Sequence, residues 1–352
     1  MTPSLRVLLV EDSPTLAEFL KLLVDHEPDM KLIGHARDGA EAVEMTARLR
    51  PDVIAMDVNM PGLDGFAATK RIMTECPTPI VIASATMDVS QVSVSMAALD
   101  AGALAVVEKP VGVGSPRHEE LARGLINSLR AMAGMKLVRR HDAATGARMR
   151  NLGVVRGGMG SGAPVVAIAA STGGPAALGC ILPALPRNLP APVLIVQHIA
   201  TGFVGGLATW LDQLGSLRVR VATDGESLEA GHVYLAGDGR HLGISHARRV
   251  QYSDADPIGG FRPAANHLFE TVARVAGADA ICVILTGMGR DGVEGLRFVR
   301  GAGGHVVAQD AGSAVVNGMP GAAVAAGVAD AVVPLAGIAG YIARCVARSV
   351  GK

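Results

Sequence analysis

The sequence predicts an α/β protein built from two doubly wound parallel-sheet domains, and three observations predict it. Short apolar runs end repeatedly on acidic or small polar residues, stretches of helical periodicity separate those runs, and the whole pattern occurs twice, on either side of a glycine- and arginine-rich stretch. A length of 352 residues suits about two domains, each large enough for its own core.

In the first half, "RVLLVEDS" reads as a buried strand ending on Glu11 and Asp12, and "PDVIAMDVNMPGLDG" as a second ending on Asp57. Between them, "SPTLAEFLKLLVDH" and "GAEAVEMTARLR" are helices, with Ser13 and Asp38 as their N-terminal caps. "PIVIASAT" and "ALAVVEKP" are further strands, carrying Ser84 and Lys109 to the same edge. Strands alternating with helices form a parallel sheet whose active edge lies at the strand ends, so Glu11, Asp12, Asp57, Ser84 and Lys109 should converge. Each acid taken singly reads as a solvated strand end, whereas five such residues in order read as a site. Three clustered carboxylates repel one another, and Mg²⁺ with oxygen ligands and waters is the usual remedy. A metal-bound aspartate facing a lysine and a hydroxyl can accept a phosphoryl group, with Asp57 as the acceptor.

On these residues, positions 5 to about 124 resemble a receiver domain of two-component signalling, a flavodoxin-like fold. The resemblance implies Glu11, Asp12, Asp57 and the Asn59 backbone carbonyl as magnesium ligands, Asp57 as the phosphorylation site, and Ser84 and Lys109 as the switch pair, with a cis bond before Pro110. Three residues before the lysine, where many receivers carry an aromatic, this chain has Val106. Its signal is expected to reach the output surface by another route.

The receiver is assigned to residues 1–124 and a linker to 125–163. From "GLINSLRAMAGM" onward the helical periodicity fades into an arginine-rich segment that ends in glycines. It lacks the interleaved aromatics of a nucleic-acid grip and reads as a solvated tether. Lys plus Arg balance Asp plus Glu at 32 each, so no net field recommends nucleic acid or an anionic membrane. The uncharged stretch from Gly157 to Pro186 is long enough to span a bilayer, but prolines at 164, 175 and 183 break it into loop, strand, turn and helix. Cys76, Cys180, Cys282 and Cys345 have no metal or disulfide spacing, which with the acidic amino terminus predicts reduced thiols in a cytoplasmic protein.

Residues 164–352 repeat the grammar. "VVAIAAS", "APVLIVQH", "HVYLAG", "AICVILTGMGRDG" and "HVVAQD" are strands, and "FVGGLATWLDQL" and "ANHLFETVARVA" are helices. Ser171, His198 and Asp291 each lie just past a different strand, and together they have the parts for acyl transfer: a nucleophile, a base, and a carboxylate to orient the base. Gly173 and Gly174 remove bulk beside Ser171, and the helix that follows offers backbone N–H groups to an oxyanion. Other readings stand beside this one. Ser171 can simply cap that helix. His232, His241 and His305 also lie near strand ends, and Asp310 competes with Asp291. No GxGxxG or GxxxxGK[ST] follows "VVAIAA", and alanine stands two places before Ser171 where an α/β-hydrolase has glycine.

The motifs "AASTGGP", "VQHIATGF", "DGESLEAGHVYLA" and "ILTGMGRDGVEGL", in that order behind a receiver, resemble the chemotaxis protein-glutamate methylesterases over nearly the whole chain. The resemblance implies a Rossmann-like methylesterase domain with Ser171 as nucleophile, His198 as general base and Asp291 as orienting acid, and with Thr172 and Met288 beside them. It also implies methylated glutamates, and glutamines as a second substrate, on chemoreceptors; a sensor histidine kinase as phosphodonor; and no cofactor in the esterase step. The receiver is expected to cover the catalytic face until it is phosphorylated. Departures from the family pattern are the missing proline in "QHIA" and Gly259, Ala264 and Asn266 in place of an asparagine, a serine and an aspartate. Two other classes remain open: an adaptor that binds without hydrolysis, and a transcriptional regulator, for which no helix-turn-helix pattern is visible.

Overall fold

A computed structural model describes residues 4–84, 103, 105–110, 112, 114–115, 117–133, 150–151, 163–215 and 217–350. The chain divides into two compact units, Met1–His141 and Asp142–Lys352. In the first, β1 (Leu5–Val10), β2 (Met30–Ala36), β3 (Val53–Asp57), β4 (Ile80–Ser84) and β5 (Ala105–Glu108) form a parallel sheet in the order β2-β1-β3-β4-β5. That is the flavodoxin-like winding, with its switch point beside β1 and β3. The apolar runs form strands because every residue of β3 and β4 is buried, which suits the interior of a parallel sheet.

The helices of this unit start where their caps predict. Asp38 accepts from the N–H groups of Ala40 and Glu41 (2.8 and 2.9 Å) and opens Gly39–Leu49, and the Ser13 side chain accepts from Leu16 N to open Pro14–Asp25. A third cap, Asp64, opens Gly65–Glu75. The last helix of the unit runs from His118 to Ala133, so residue 124 lies within it and not at its end. It is tied down by Arg130, which bridges Glu27 and Asp29 just before β2 (2.8 and 2.6 Å). Most of the segment assigned as linker lies outside the described residues. Within it, Arg150–Asn151 forms a short strand, β6.

The second unit is an eight-stranded sheet in the order β6-β15-β14-β13-β7-β8-β10-β9. Its strands are β6, β7 (Val165–Ala170), β8 (Val193–Gln197), β9 (Arg218–Val221), β10 (His232–Leu235), β13 (Ala280–Ile284), β14 (His305–Gln309) and β15 (Ala331–Val333). All are parallel except β6, which pairs antiparallel on the β15 edge. A separate antiparallel hairpin joins β11 (His241–Ile244) to β12 (Val250–Ser253). The chain winds outward from β7 through β8 and later returns to β13 on the other side of β7. The switch point is therefore flanked by β7, β8 and β13, whose carboxyl ends carry Ser171, His198 and Asp291.

The cis peptide bond among the described residues is Arg262–Pro263 and not the expected bond before Pro110. Lys109 is held instead by its own backbone N–H, which donates to the Ser84 carbonyl at 2.8 Å. The four cysteines are free.

Candidate active site

In the first unit, the ends of β1 and β3 bring Glu11, Asp12 and Asp57 together, with one oxygen of each within 4.8 Å of the others. Lys109 enters from beyond β5 and sets its ammonium 2.7 Å from Glu11 Oε2 and 2.8 Å from Asp57 Oδ2. All three side chains of this bridge are buried, whereas Asp12 is exposed. Burial pushes the Glu11 carboxyl above its ordinary range, Asp57 adds to the rise, and Lys109 opposes it. The Ser84 hydroxyl is buried without a hydrogen-bond partner among the described residues. Asn59 donates its backbone N–H to Asp57 Oδ1 at 3.3 Å, which places it in the same loop. Gly65 is required here, because a Cβ would stand 2.0 Å from the Asp57 carbonyl oxygen.

In the second unit, Ala170 and Gln197 are register partners on β7 and β8, so Ser171 and His198 lie side by side one residue further on. Gln197 ties the two together, since its buried amide donates to the Ser171 carbonyl at 2.7 Å and to the His198 carbonyl at 2.8 Å. Ser171 N donates to Thr286 O (3.0 Å) and Thr286 Oγ1 donates to Thr172 O (2.8 Å), which joins this turn to the loop after β13. The helix Gly174–Ile181 is capped not by Ser171 but by Gly173, in the left-handed region (φ 77°), with no side-chain capping bond. A side chain at 173 would also strike Val315, its Cβ falling 2.5 Å from the valine Cβ. The turn thus leaves the Ser171 hydroxyl free of a capping role.

His198 Nε2 lies 2.9 Å from Asp291 Oδ2, and its other nitrogen, Nδ1, is buried without a partner among the described residues. An ionised carboxylate only accepts, so Nε2 carries a hydrogen, and in the neutral ring Nδ1 presents a lone pair. The ring stacks on Phe261 (centroids 4.2 Å apart, planes at 11°). Asp291 is gripped from the other side as well: Ala265 N donates to Oδ2 (2.6 Å) and Asn266 N to Oδ1 (3.1 Å). These are the first N–H groups of the helix Ala265–Ala276, whose dipole favours a negative charge at that end. Asn266 returns the cap, accepting from Gly292 N and Gly295 N (3.1 and 2.9 Å) at the start of the helix Val293–Gly301.

The competing residues have other work. Asp310 accepts from Ser313 N and Ser313 Oγ and closes its own turn. His232 contacts Ala230 O and Glu229, His305 contacts Tyr341 and Asp330, and His241 contacts Asp256 O and Ala264 N. Met288 is 38% exposed on the loop between β13 and Asp291. Sequence reasoning missed Gln197, Phe261 and the exchange of caps through Asn266. Gln197 alone left a signal, as a polar residue closing an apolar strand.

The departures are explained locally. Gly259 adopts φ 61°, a left-handed conformation that asparagine also tolerates. The loop after His198 lacks its proline but is pinned where Asp238 Oδ2 accepts from Gly202 N at 2.8 Å. Ala264 is the fully buried N-cap of Ala265–Ala276 and supplies no side-chain bond, a task Asp291 performs.

Two family models match the chain: "CheB methylesterase" over residues 166–342 and "Response regulator receiver domain" over residues 7–116. The chain is 49% identical to the protein-glutamate methylesterase/protein-glutamine glutaminase 4 of Myxococcus xanthus, covering 99% of this chain and 98% of the relative. It is 51% identical to number 3 of that name from Anaeromyxobacter dehalogenans, covering 98% of this chain and 100% of the relative. Its second unit resembles the crystal structure of the Thermotoga maritima CheB methylesterase catalytic domain, at 39% identity and TM-score 0.51, covering 52% of this chain and 98% of that one.

Proposed function

Because the chain belongs to the protein-glutamate methylesterase/protein-glutamine glutaminase family, with a receiver in front of the hydrolase, we propose that Ser171, His198 and Asp291 carry the hydrolysis and that phosphorylation of Asp57 raises its rate. The observation that carries this reading is the ring of His198, with Nε2–H committed to Asp291 and Nδ1 buried and vacant one residue past the strand pair that leads to Ser171.

In this reading the Ser171 hydroxyl attacks the ester or amide carbonyl of a substrate glutamyl or glutaminyl side chain and passes its proton to His198 Nδ1. Asp291 holds the ring and stabilises the imidazolium. The start of Gly174–Ile181 offers the oxyanion fewer donors than the sequence predicts, because the Gly174 N–H is given to the Ser171 carbonyl at 2.8 Å and Pro175 has none. His198 then returns the proton to the leaving methanol or ammonia, and water, activated by the same nitrogen, frees the carboxylate from Ser171. The roles of the two ring nitrogens are exchanged relative to the serine-protease template, because the acid here approaches Nε2. Thr172 and Met288 line the approach.

In the receiver, Glu11, Asp12, Asp57 and the Asn59 carbonyl would hold Mg²⁺, and the closeness of the three carboxylates supports that fit. When bound, the ion supplies positive charge against the phosphoryl oxygens. Lys109 neutralises the remainder, and the Ser84 hydroxyl, without a partner among the described residues, would bond a phosphoryl oxygen on Asp57. The partners are a phosphodonor kinase and methylated chemoreceptors, met in the cytoplasm. No helix among the described residues is long and apolar enough to cross a membrane.

Methanol release from methylated chemoreceptor membranes, with Mg²⁺ and a small phosphodonor, tests this. Release should rise with the phosphodonor and vanish in Ser171→Ala; persistence in that variant would overturn the assignment. An adaptor without hydrolysis would release none in any state, and the intact His198–Asp291 pair disfavours it.

A further inference from the structure

We propose that His241 is a positioning residue for the catalytic pair: as a neutral imidazole it fixes the 256–264 segment, which in turn sets both the stacking partner of His198 and the N–H donors of Asp291. The inference rests on the assignment of His198 and Asp291 above and assigns a role to a residue outside it.

His241 opens β11, and its side chain is completely buried. Its two nitrogens face two ends of one segment. Ala264 N donates to Nδ1 at 3.2 Å, and Nε2 lies 3.1 Å from the Asp256 carbonyl oxygen. A backbone N–H can only donate and a carbonyl can only accept, so Nδ1 must offer a lone pair and Nε2 must carry the hydrogen. The partners thus select one tautomer and exclude the charged ring, which would set two N–H groups against each other at Ala264. The neighbouring His267 lies with its ring centroid 5.1 Å from that of His241, and burial pushes its pKa below the ordinary histidine value.

The segment held this way reaches the site at two points. Phe261 stacks on the His198 ring, and Ala264 is the N-cap from which Ala265 and Asn266 direct their N–H groups at Asp291. One buried ring on the hairpin therefore controls the base from its face and the acid from behind, without touching substrate. Few side chains can do this, since an in-plane acceptor and an in-plane donor must sit on opposite edges of one rigid ring. Asparagine keeps a polar atom near Nδ1 and glutamine one near Nε2, while alanine keeps neither.

The test uses the full chain with Ser171, His198 and His241 variants, measuring methanol release and thermal unfolding. His241→Ala should lower kcat by about 10- to 100-fold, the cost of a misplaced catalytic group, with KM unchanged. His241→Asn should recover most of kcat and His241→Gln less, because the Ala264 contact governs the donors to Asp291. Unchanged kcat in His241→Ala, a change confined to KM, or equal losses in the alanine and asparagine variants would each overturn the proposal. If the alanine variant does not fold, ¹⁵N imidazole NMR on the unmodified protein decides: His241 must be neutral and protonated at Nε2, and any other state refutes it. Activity surviving in His198→Ala would instead overturn the reading of the site itself, whatever His241 shows.

Discussion

The two units place their chemistry at the same kind of location, the carboxyl ends of parallel strands, yet they satisfy a buried carboxylate in opposite ways. In the receiver, Glu11 and Asp57 are balanced by the ammonium of Lys109, and the cluster of three acids still has more negative than positive charge. In the hydrolase, Asp291 is balanced by two backbone N–H groups and one imidazole, and needs nothing from outside. The first arrangement keeps an excess of negative charge that a bound cation would offset. The second is self-contained.

The largest expected effect breaks the self-contained half. In Asp291→Asn the amide would present its NH₂ or its oxygen to a ring and two N–H groups that need an acceptor at both positions. At least one donor is then left facing a donor, and the ring loses its counter-charge, and its orienting acceptor too where the NH₂ takes the Oδ2 position. A fall in kcat of about 10⁴-fold is expected, comparable with loss of the orienting acid in serine proteases. A fall below about tenfold would show that Asp291 is not the orienting acid.

Chelation separates the halves next. With EDTA, stimulation of methanol release by a phosphodonor should disappear, whereas release by unphosphorylated protein should persist at its Mg²⁺ level. Loss of both would place a metal in the hydrolase step, contrary to the reading of Ser171 and His198; loss of neither would remove Mg²⁺ from the receiver.

Lys109→Ala sharpens the contrast through stability. It leaves Glu11 and Asp57 buried together without a cation, and burial already pushes Glu11 upward. Removing one partner from a buried charge network costs about 3–5 kcal/mol. Thermal unfolding of the receiver transition should fall accordingly and be partly restored by Mg²⁺, while the hydrolase transition stays put. No fall would mean that the acids are neutral in the folded state.

What was legible in the sequence follows the same divide between local and distant causes. Strands that are continuous apolar runs, such as Val53–Asp57 and Val165–Ala170, could be placed from pattern alone, and so could helices with caps, such as Gly39–Leu49 behind Asp38. Arg218–Val221 alternates charge and valine at the sheet edge, and Ala331–Val333 is three residues long; neither makes a run, and both are strands because a neighbour pairs with them. Ser171, His198 and Asp291 could be nominated by position. The preference for Asp291 over Asp310 came only from family resemblance, and its physical cause is a contact between residues 93 positions apart. Phe261, Asn266 and His241 act through such contacts, which no local pattern encodes, and Gln197 betrayed itself only as a polar residue closing an apolar strand.

The smallest effect concerns how Asp291 is held. Ala264 is an N-cap in extended conformation (φ −109°, ψ 136°) that offers its helix no side-chain acceptor, and Asp291 fills that role from another loop. Ala264→Ser would add an acceptor for the N–H of Asn266 or His267, worth about 0.5–1 kcal/mol where a helix start lacks one. The shorter of the Asp291 bonds comes from Ala265, a donor that a capping serine does not reach. Unfolding should therefore shift slightly upward with kcat unchanged, which would mean that Ala265 alone holds the acid. A rise in stability with a fall in kcat would mean that the serine had drawn Asn266 away and that both donors are needed. No change in stability would mean that Asp291 already satisfies the helix start, so that the catalytic acid serves as the structural cap.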